Sequence, residues 1–418
     1  MKQIVQPGLL SGTIQIPASK SDSQRAILCA ALSDGVSVLT GVGKSDDEQA
    51  MLRAVAEMGA KINVLSDSKV EISGISHFPE NVELSAAESG LGLRLLTCVA
   101  ASFNQKVILT GRGSLLKRPM NFLDAVLPQF GCAVASNHGF LPLEVQGPLV
   151  GTTITVDGSL SSQFISGLLM ALPRSRQSSV LTVLDMKSGP YIQMTIRTLK
   201  QFGIKIEQAG SQFEILGNQL YQSTDYSIEA DWSSASYWLV AAAVGHSITV
   251  SGLKMNSLQA DKVLLDALIS AGCKISFEAQ TIRIDGSELH SFMFDATDCP
   301  DLFPALVVLA AKCNGISTFK GVDRLIHKES NRGVVLQSEF GKMGLKIELK
   351  GNFMTVFGTG LLNGAAVDSH HDHRIAMCMA IAGTLAIGET NITNAEAVSK
   401  SYPDFWNHLS GLTNHFAV

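Results

Sequence analysis

The chain has 418 residues, of which 46% are hydrophobic and 17% charged, a balance that builds cores and is too apolar for disorder. This length exceeds one ordinary core and predicts two or three domains of roughly 100–200 residues each, which excludes a single small binding module. With 32 Lys plus Arg against 37 Asp plus Glu, the formal charge is -5, so no nucleic-acid partner is expected. Apolar runs such as Ala305 to Ala311 stop short of the roughly 18 residues of a membrane span, and no membrane partner is expected. The opening residues Lys2, Gln3, Gln6, Pro7 and Gly8 do not read as a secretory leader, which makes the cytoplasm the default compartment. The seven cysteines are odd in number and contain no CxxC pair, the pattern of buried free thiols.

In chain order, a helix that stops at a glycine and re-enters as a strand recurs: MLRAVAEMGAKINV, FLDAVLPQFGCAV, IRTLKQFGIKIE, LLDALISAGCKIS and VLQSEFGKMGLKIEL. The glycines are Gly59, Gly131, Gly203, Gly272 and Gly344, separated by 72, 72, 69 and 72 residues, and Gly411 lies 67 further on as a degenerate sixth. A second glycine, at Gly74, Gly147, Gly217, Gly286 and Gly358, follows 14 to 16 residues after each of the first five and marks the end of a hairpin. Upstream of each lies a strand, a polar turn, an Ala/Leu-rich helix and another strand, so each unit reads β-α-β-α-β-β. Glycine suits the position after a helix because a left-handed residue there carries no Cβ penalty. The fold class is therefore α/β (α+β), with two similar domains of three β-α-β-α-β-β repeats each and buried helices. Chain crossings near the first strand and near Ser227 to Asp231 divide it into residues 1–18 plus 229–418 and residues 19–228.

The turn before the first helix of each unit holds a Ser, Asp or similar residue, and ordinary capping explains each of these singly. Capping does not explain the cations. Lys20, Arg94, His373 and Arg374 lie in or near a first helical turn, where positive charge opposes the helix dipole unless an anion binds there. The second helices open on Lys44-Ser45-Asp46-Asp47, Lys117-Arg118-Pro119, Lys187-Ser188-Gly189-Pro190-Tyr191, His327 to Arg332, and Ser399-Lys400-Ser401. Lys328 and Arg332, four apart, are expected on one helical face beside Glu329. Together with Arg25, these cations call for a polyanionic small molecule bearing phosphate and carboxylate.

The segments PASKSDSQRAILCAAL, SGLGLRLL, GSLLKRPM, SSQF, SGPY, HKESNR, DHRIAM and SKSYPDF, in this order, resemble the 3-phosphoshikimate 1-carboxyvinyltransferase (5-enolpyruvylshikimate-3-phosphate synthase) family of enolpyruvyl transferases. The resemblance implies transfer of the enolpyruvyl group of phosphoenolpyruvate to the 5-hydroxyl of 3-phosphoshikimate, with release of phosphate, on the way to chorismate and aromatic amino acids. It implies an enolpyruvyl transferase-like fold of two domains closing over small-molecule substrates, no cofactor and no metal; a monomer is expected. By the same resemblance Lys20, Ser21, Arg25, Ser161, Ser162, Gln163, Ser188, Tyr191, Asp301 and Lys328 hold 3-phosphoshikimate. Lys20, Gly90, Arg94, Arg118, Gln163, Arg332, Arg374 and Lys400 match the phosphoenolpyruvate site. Asp301 and Glu329 match the two carboxylates that move protons, with Lys20 as the third catalytic group.

The chemistry itself asks for such a pair. Adding an alcohol to an enol phosphate needs a proton on the methylene carbon and removal of the hydroxyl proton, hence one acid and one base with separately tuned pKa values. Glu88, Leu91 and Asn331 depart from the usual family pattern, and residues 325–327, Leu-Ile-His, are unusual for it. A bulky Leu91 beside Gly90 predicts a reshaped phosphoenolpyruvate pocket and weaker inhibition by the mimic glyphosate. The alternative is UDP-N-acetylglucosamine enolpyruvyl transferase, whose usual loop carries a cysteine shortly before an Arg-Pro pair; Gly111 to Pro119 has none. His370-His371-Asp372-His373 invites a zinc reading, but four consecutive side chains diverge. Gly41-Val42-Gly43-Lys44-Ser45 lacks the first glycine of a phosphate loop.

Overall fold

Local backbone demands explain the glycine pattern first. A computed structural model describes residues 1–159, 162–278 and 280–413. In it Gly59, Gly131, Gly203, Gly272 and Gly344 all take φ between +80° and +102°. Each ends a helical segment, among them Asp46–Glu57, Gly189–Gln201 and Arg332–Lys342, at a place where a side chain would be strained. The second glycines answer a different demand. A Cβ on Gly74, Gly147, Gly286 or Gly358 would stand 1.8 to 2.1 Å from the carbonyl oxygen of Ser33, Ala101, Ala243 or Ala310. These carbonyls lie at the C-terminal ends of the first helices Lys20–Leu32, Gly90–Ala100, Trp232–Ala243 and Phe303–Lys312, so each hairpin closes directly onto the helix of its own repeat. Gly411 behaves otherwise, inside the helix Phe405–Leu412.

Among the described residues, five four-stranded sheets share one pairing rule. In the sheet Val82–Ser85, Lys106–Thr110, Phe140–Gln146, Ala133–Asn137, the first pair is parallel and the other two antiparallel. The sheet of the sixth repeat is three-stranded: Ala366–Asp368 runs parallel to Thr390–Thr393, and the N-terminal strand Lys2–Val5 pairs antiparallel beside it. Among the described residues the sixth repeat thus has no hairpin of its own, and the strand Lys2–Val5 takes the third place in its sheet.

Two strands are exchanged relative to their order in sequence. Ser11–Gln15 precedes the helix Lys20–Leu32 but pairs with Ser247–Ser251, whereas Asp225–Ser227 precedes Trp232–Ala243 but pairs with Val36–Thr40. The chain correspondingly divides into a first unit, Met1–Pro17 with Ala230–Val418, and a second unit, Ala18–Glu229.

Within each unit the first helices of the repeats are enclosed on all sides, as their apolar composition requires. Every residue of Gly90–Ala100 and of His373–Thr384 is buried. Leu93, Leu95 and Leu96 are fully inaccessible, each contributing about 1.5–3 kcal/mol over an exposed position. Polar residues on such helices sit mostly near the N-terminal turn or where a partner meets them, as Thr97 Oγ1 meets the Leu93 carbonyl at 2.7 Å. The seven cysteines are free and buried, and burial pushes the Cys132 and Cys273 thiols up to about 11. Among the described residues no helix is long and apolar enough to cross a membrane.

Candidate active site

In the second unit the helix Lys20–Leu32 starts where Ser19 caps the Asp22 amide. Lys20 opposes the dipole at the first helical position, and its Nζ lies 2.9 Å from Asp47 Oδ2, which offsets that charge. Arg25, on the same helix, is 1% exposed. Its Nε donates to Thr195 Oγ1 at 2.7 Å, Nη1 to the Ser21 carbonyl at 2.7 Å, and Nη2 to the Tyr191 carbonyl at 3.3 Å and Ser166 Oγ at 3.5 Å. These oxygens are all neutral, and burial lowers the guanidinium to about 10. A buried cation solvated by hydroxyls and carbonyls favours an anionic ligand. Tyr191 follows Ser188, which stands in the left-handed region at φ 53° just before the helix Gly189–Gln201.

A second group forms at the start of Gly90–Ala100. Arg94 Nη1 donates to the Gly90 carbonyl at 2.9 Å and to Gln163 Oε1 at 3.0 Å. A Cβ on Gly90 would stand 2.4 Å from Arg118 Nη1 and 2.9 Å from Arg94 Nη1, so glycine is what allows two guanidinium groups to approach this helix terminus. Arg118 follows the 3₁₀ turn Gly113–Lys117. Glu88 holds that turn, its Oε2 accepting from the Ser114 amide at 3.2 Å and the Ser114 hydroxyl at 3.4 Å. Leu91 belongs to the hydrophobic core of this unit. Ser162 is buried at the head of Ser162–Ala171, and Ser161 lies outside the described residues.

In the first unit one guanidinium gathers three carboxylates. Arg332, fully buried, meets Asp372 Oδ2 through Nε at 2.9 Å, Asp301 Oδ1 through Nη1 at 2.8 Å and Glu329 Oε2 through Nη2 at 2.6 Å. Asp301 in turn accepts from Arg374 Nη2 at 3.0 Å and lies 3.3 Å from Lys328 Nζ. Burial alone would raise the Asp301 carboxyl, but Arg374, Lys328 and Arg332 hold it well below the usual carboxylate range. The opposite happens at Asp261, which accepts from the Ser233 hydroxyl: burial and the nearby charge of Asp301 push it up to about 7. Asp372 caps the helix His373–Thr384 through the Arg374 amide, and Lys400 Nζ donates to the His371 carbonyl at 2.7 Å.

Two expectations about local structure need correction. Lys328 does not share a helical face with Arg332, because the helix begins at Arg332; Lys328 reaches Asp301 from the preceding turn. Lys400 does not open a helix either, but closes the 3₁₀ segment Ala395–Lys400. The spacing argument missed that Gly321, in the left-handed conformation, starts a separate 3₁₀ turn at Val322–Leu325. Sequence reasoning also overlooked Asp372, Asp47, Thr195 and Ser166 as partners of the cations. Only Asp372 carried a signal, its cap position before His373. His370 meets Glu339 and Asp372 meets Arg332, and among the described residues no group of three or more His, Cys, Asp or Glu could hold a metal ion.

The family model described as EPSP synthase (3-phosphoshikimate 1-carboxyvinyltransferase) matches residues 4–409. A relative from Clostridium beijerinckii named 3-phosphoshikimate 1-carboxyvinyltransferase is 37% identical, over 99% of this chain and 97% of its own length. One of the same name from Methanosarcina acetivorans is 38% identical, over 99% and 98%. The solved structure of EPSP synthase from Acinetobacter baumannii superposes with a TM-score of 0.83 at 26% identity, covering 99% of this chain and 98% of that one. With a match of this extent, the chain belongs to the EPSP synthase (3-phosphoshikimate 1-carboxyvinyltransferase) family.

Proposed function

We infer that the chain transfers the enolpyruvyl group of phosphoenolpyruvate to the 5-hydroxyl of 3-phosphoshikimate, releasing phosphate, as a step toward chorismate and the aromatic amino acids. The observation that carries the reading is the grouping of Asp301 and Glu329 on separate nitrogens of Arg332. Two carboxylates on one fixed cation, with Arg374 and Lys328 beside them, suit a reaction that adds and removes protons next to a polyanion.

In the addition half, an O–C bond forms between the 5-hydroxyl and C2 of phosphoenolpyruvate while C3 gains a proton. In the elimination half, C3 loses a proton and the C–O bond to phosphate breaks. Asp301 takes the hydroxyl proton, Glu329 handles the proton at C3, and Lys20 steadies the charge of the departing phosphate. In the unliganded chain Asp301 is a weak base, since three cations stabilise its ionised form. An anionic substrate that draws on Arg374 and Lys328 raises its basicity when the hydroxyl arrives. Lys20, Ser21, Arg25, Ser161, Ser162, Gln163, Ser188, Tyr191, Asp301 and Lys328 are assigned to 3-phosphoshikimate. Lys20, Gly90, Arg94, Arg118, Gln163, Arg332, Arg374 and Lys400 are assigned to phosphoenolpyruvate. We further propose a monomeric cytoplasmic protein working on small molecules without a cofactor.

Phosphate release measured with phosphoenolpyruvate and 3-phosphoshikimate tests the reading. Turnover is expected with this acceptor and not with UDP-N-acetylglucosamine, which the family match does not favour; the reverse preference would overturn it.

A further inference from the structure

The loop that delivers Asp372 and Arg374 is backbone-strained. His370 and His371 stand consecutively in the left-handed region, at φ 53° and 56°, and neither is glycine, a conformation that costs about 1–2 kcal/mol per residue. Something must hold it. The helix Arg332–Lys342 offers two grips on one face, because Arg332 and Glu339 are seven residues, close to two turns, apart. Arg332 takes Asp372 at one end of the loop. Glu339, 1% exposed, takes the other end: its Oε2 accepts from the Asp368 amide at 2.9 Å and its Oε1 meets His370 Nε2 at 3.1 Å. Lys342 Nζ, 2.6 Å from Oε2, and Ser338 Oγ, 3.3 Å from Oε1, complete the surroundings of the carboxylate.

We propose that Glu339 is a positioning residue for the phosphoenolpyruvate site, holding the strained His370-His371 turn so that the His371 carbonyl meets Lys400 and Asp372 orients Arg374. The inference rests on the assignment of Arg374 and Lys400 to phosphoenolpyruvate. The left-handed turn sets the direction of the His371 carbonyl, which accepts from Lys400 Nζ at 2.7 Å. The next residue, Asp372, accepts from the Arg374 amide at 3.0 Å. Without Glu339 the His370 ring and the Asp368 amide lose their partner, and the turn is left to Asp368 Oδ1, which accepts from the His370 amide at 2.6 Å, and to the Ser369 contacts with Thr393 and Asn394, so that it relaxes more readily toward right-handed or extended backbone.

Steady-state kinetics on Glu339→Ala and Glu339→Gln test the idea, with the fold of each variant followed by thermal melting. Glu339→Ala is expected to raise KM for phosphoenolpyruvate roughly tenfold while leaving KM for 3-phosphoshikimate within about twofold, a shift typical of small misplacement. Glu339→Gln, which keeps a carbonyl oxygen for the Asp368 amide, is expected to recover most of the loss and serves where the alanine variant does not fold. Adding His370→Gly to Glu339→Ala should restore part of the affinity, since glycine adopts the turn without strain; a purely structural role for Glu339 would show no such rescue. Unchanged KM for phosphoenolpyruvate in both single variants, or equal losses for both substrates, overturns the proposal. Failure of the wild-type chain to use phosphoenolpyruvate with 3-phosphoshikimate would instead overturn the assignment beneath it.

Discussion

The two units carry their buried arginines in contrasting company. Arg332 in the first unit is saturated with carboxylates, from Asp301, Glu329 and Asp372. Arg25 in the second is held by hydroxyls and backbone carbonyls. Burying a cation with its counter-charges gives a fixed scaffold that presents carboxylates in set positions, whereas burying one among neutral dipoles leaves charge for an arriving anion. The contrast suits the proposal that puts proton transfer on Asp301 and Glu329 of the first unit and gives Arg25 of the second unit a place among the 3-phosphoshikimate contacts.

The largest expected effect lies with the carboxylates. Asp301→Asn and Glu329→Gln should each lower kcat by about 10²–10⁴-fold, read by phosphate release, and near-wild-type turnover in either removes its assigned role. The contrast between the arginines is broken or sharpened next. Arg332→Met leaves three carboxylates without their common cation and should cost roughly 3–5 kcal/mol of stability in urea unfolding. Arg25→Met should stay within about 1–2 kcal/mol of wild type yet weaken 3-phosphoshikimate binding roughly 10- to 100-fold. Equal destabilisation by both would end the comparison.

Acid sensitivity distinguishes the first unit further. His246 is buried there with Nδ1 accepting from the Leu10 amide and Nε2 next to Thr384 Oγ1, and burial lowers it to about 4. The folded state therefore resists protonation that the unfolded chain accepts below about 6.5. Its contribution is present above that pH and fades as pH falls toward 4, amounting to on the order of 3 kcal/mol. Unfolding of wild type and His246→Gln at pH 7.5 and 4.5 checks this, and a parallel pH response in the two would contradict it. The smallest effect is expected at Gly90→Ala. The new Cβ meets both guanidinium groups, and displacing these flexible ends should raise KM for phosphoenolpyruvate roughly tenfold with little change in thermal stability.

What the sequence disclosed follows the range of the forces involved. The positive-φ glycines and the tight approaches of Gly74 or Gly286 to a helix end are demands felt within one repeat, and they recur at readable intervals. The exchange of Ser11–Gln15 with Asp225–Ser227 is a pairing across some two hundred residues, and each strand reads locally like any other. The substitution of Lys2–Val5 for the sixth hairpin is hidden for the same reason. At the site, cations at helix starts stood out because they oppose the dipole, while Thr195 and Ser166 are unremarkable helical residues until packing brings them to Arg25. Leu91 shows the converse. Its place in the core of the second unit gives its bulk a packing role, one that does not follow from its position next to Gly90.

The buried thiols supply an intrinsic clock for each unit. Cys29, Cys98 and Cys132 belong to the second, and Cys273, Cys299, Cys313 and Cys378 to the first. Each is buried, and burial keeps it protonated, so an alkylating reagent reacts readily with a cysteine only when its surroundings open. The order in which these seven sites are labelled in the intact chain would report which unit opens first, and whether bound 3-phosphoshikimate slows the second more than the first.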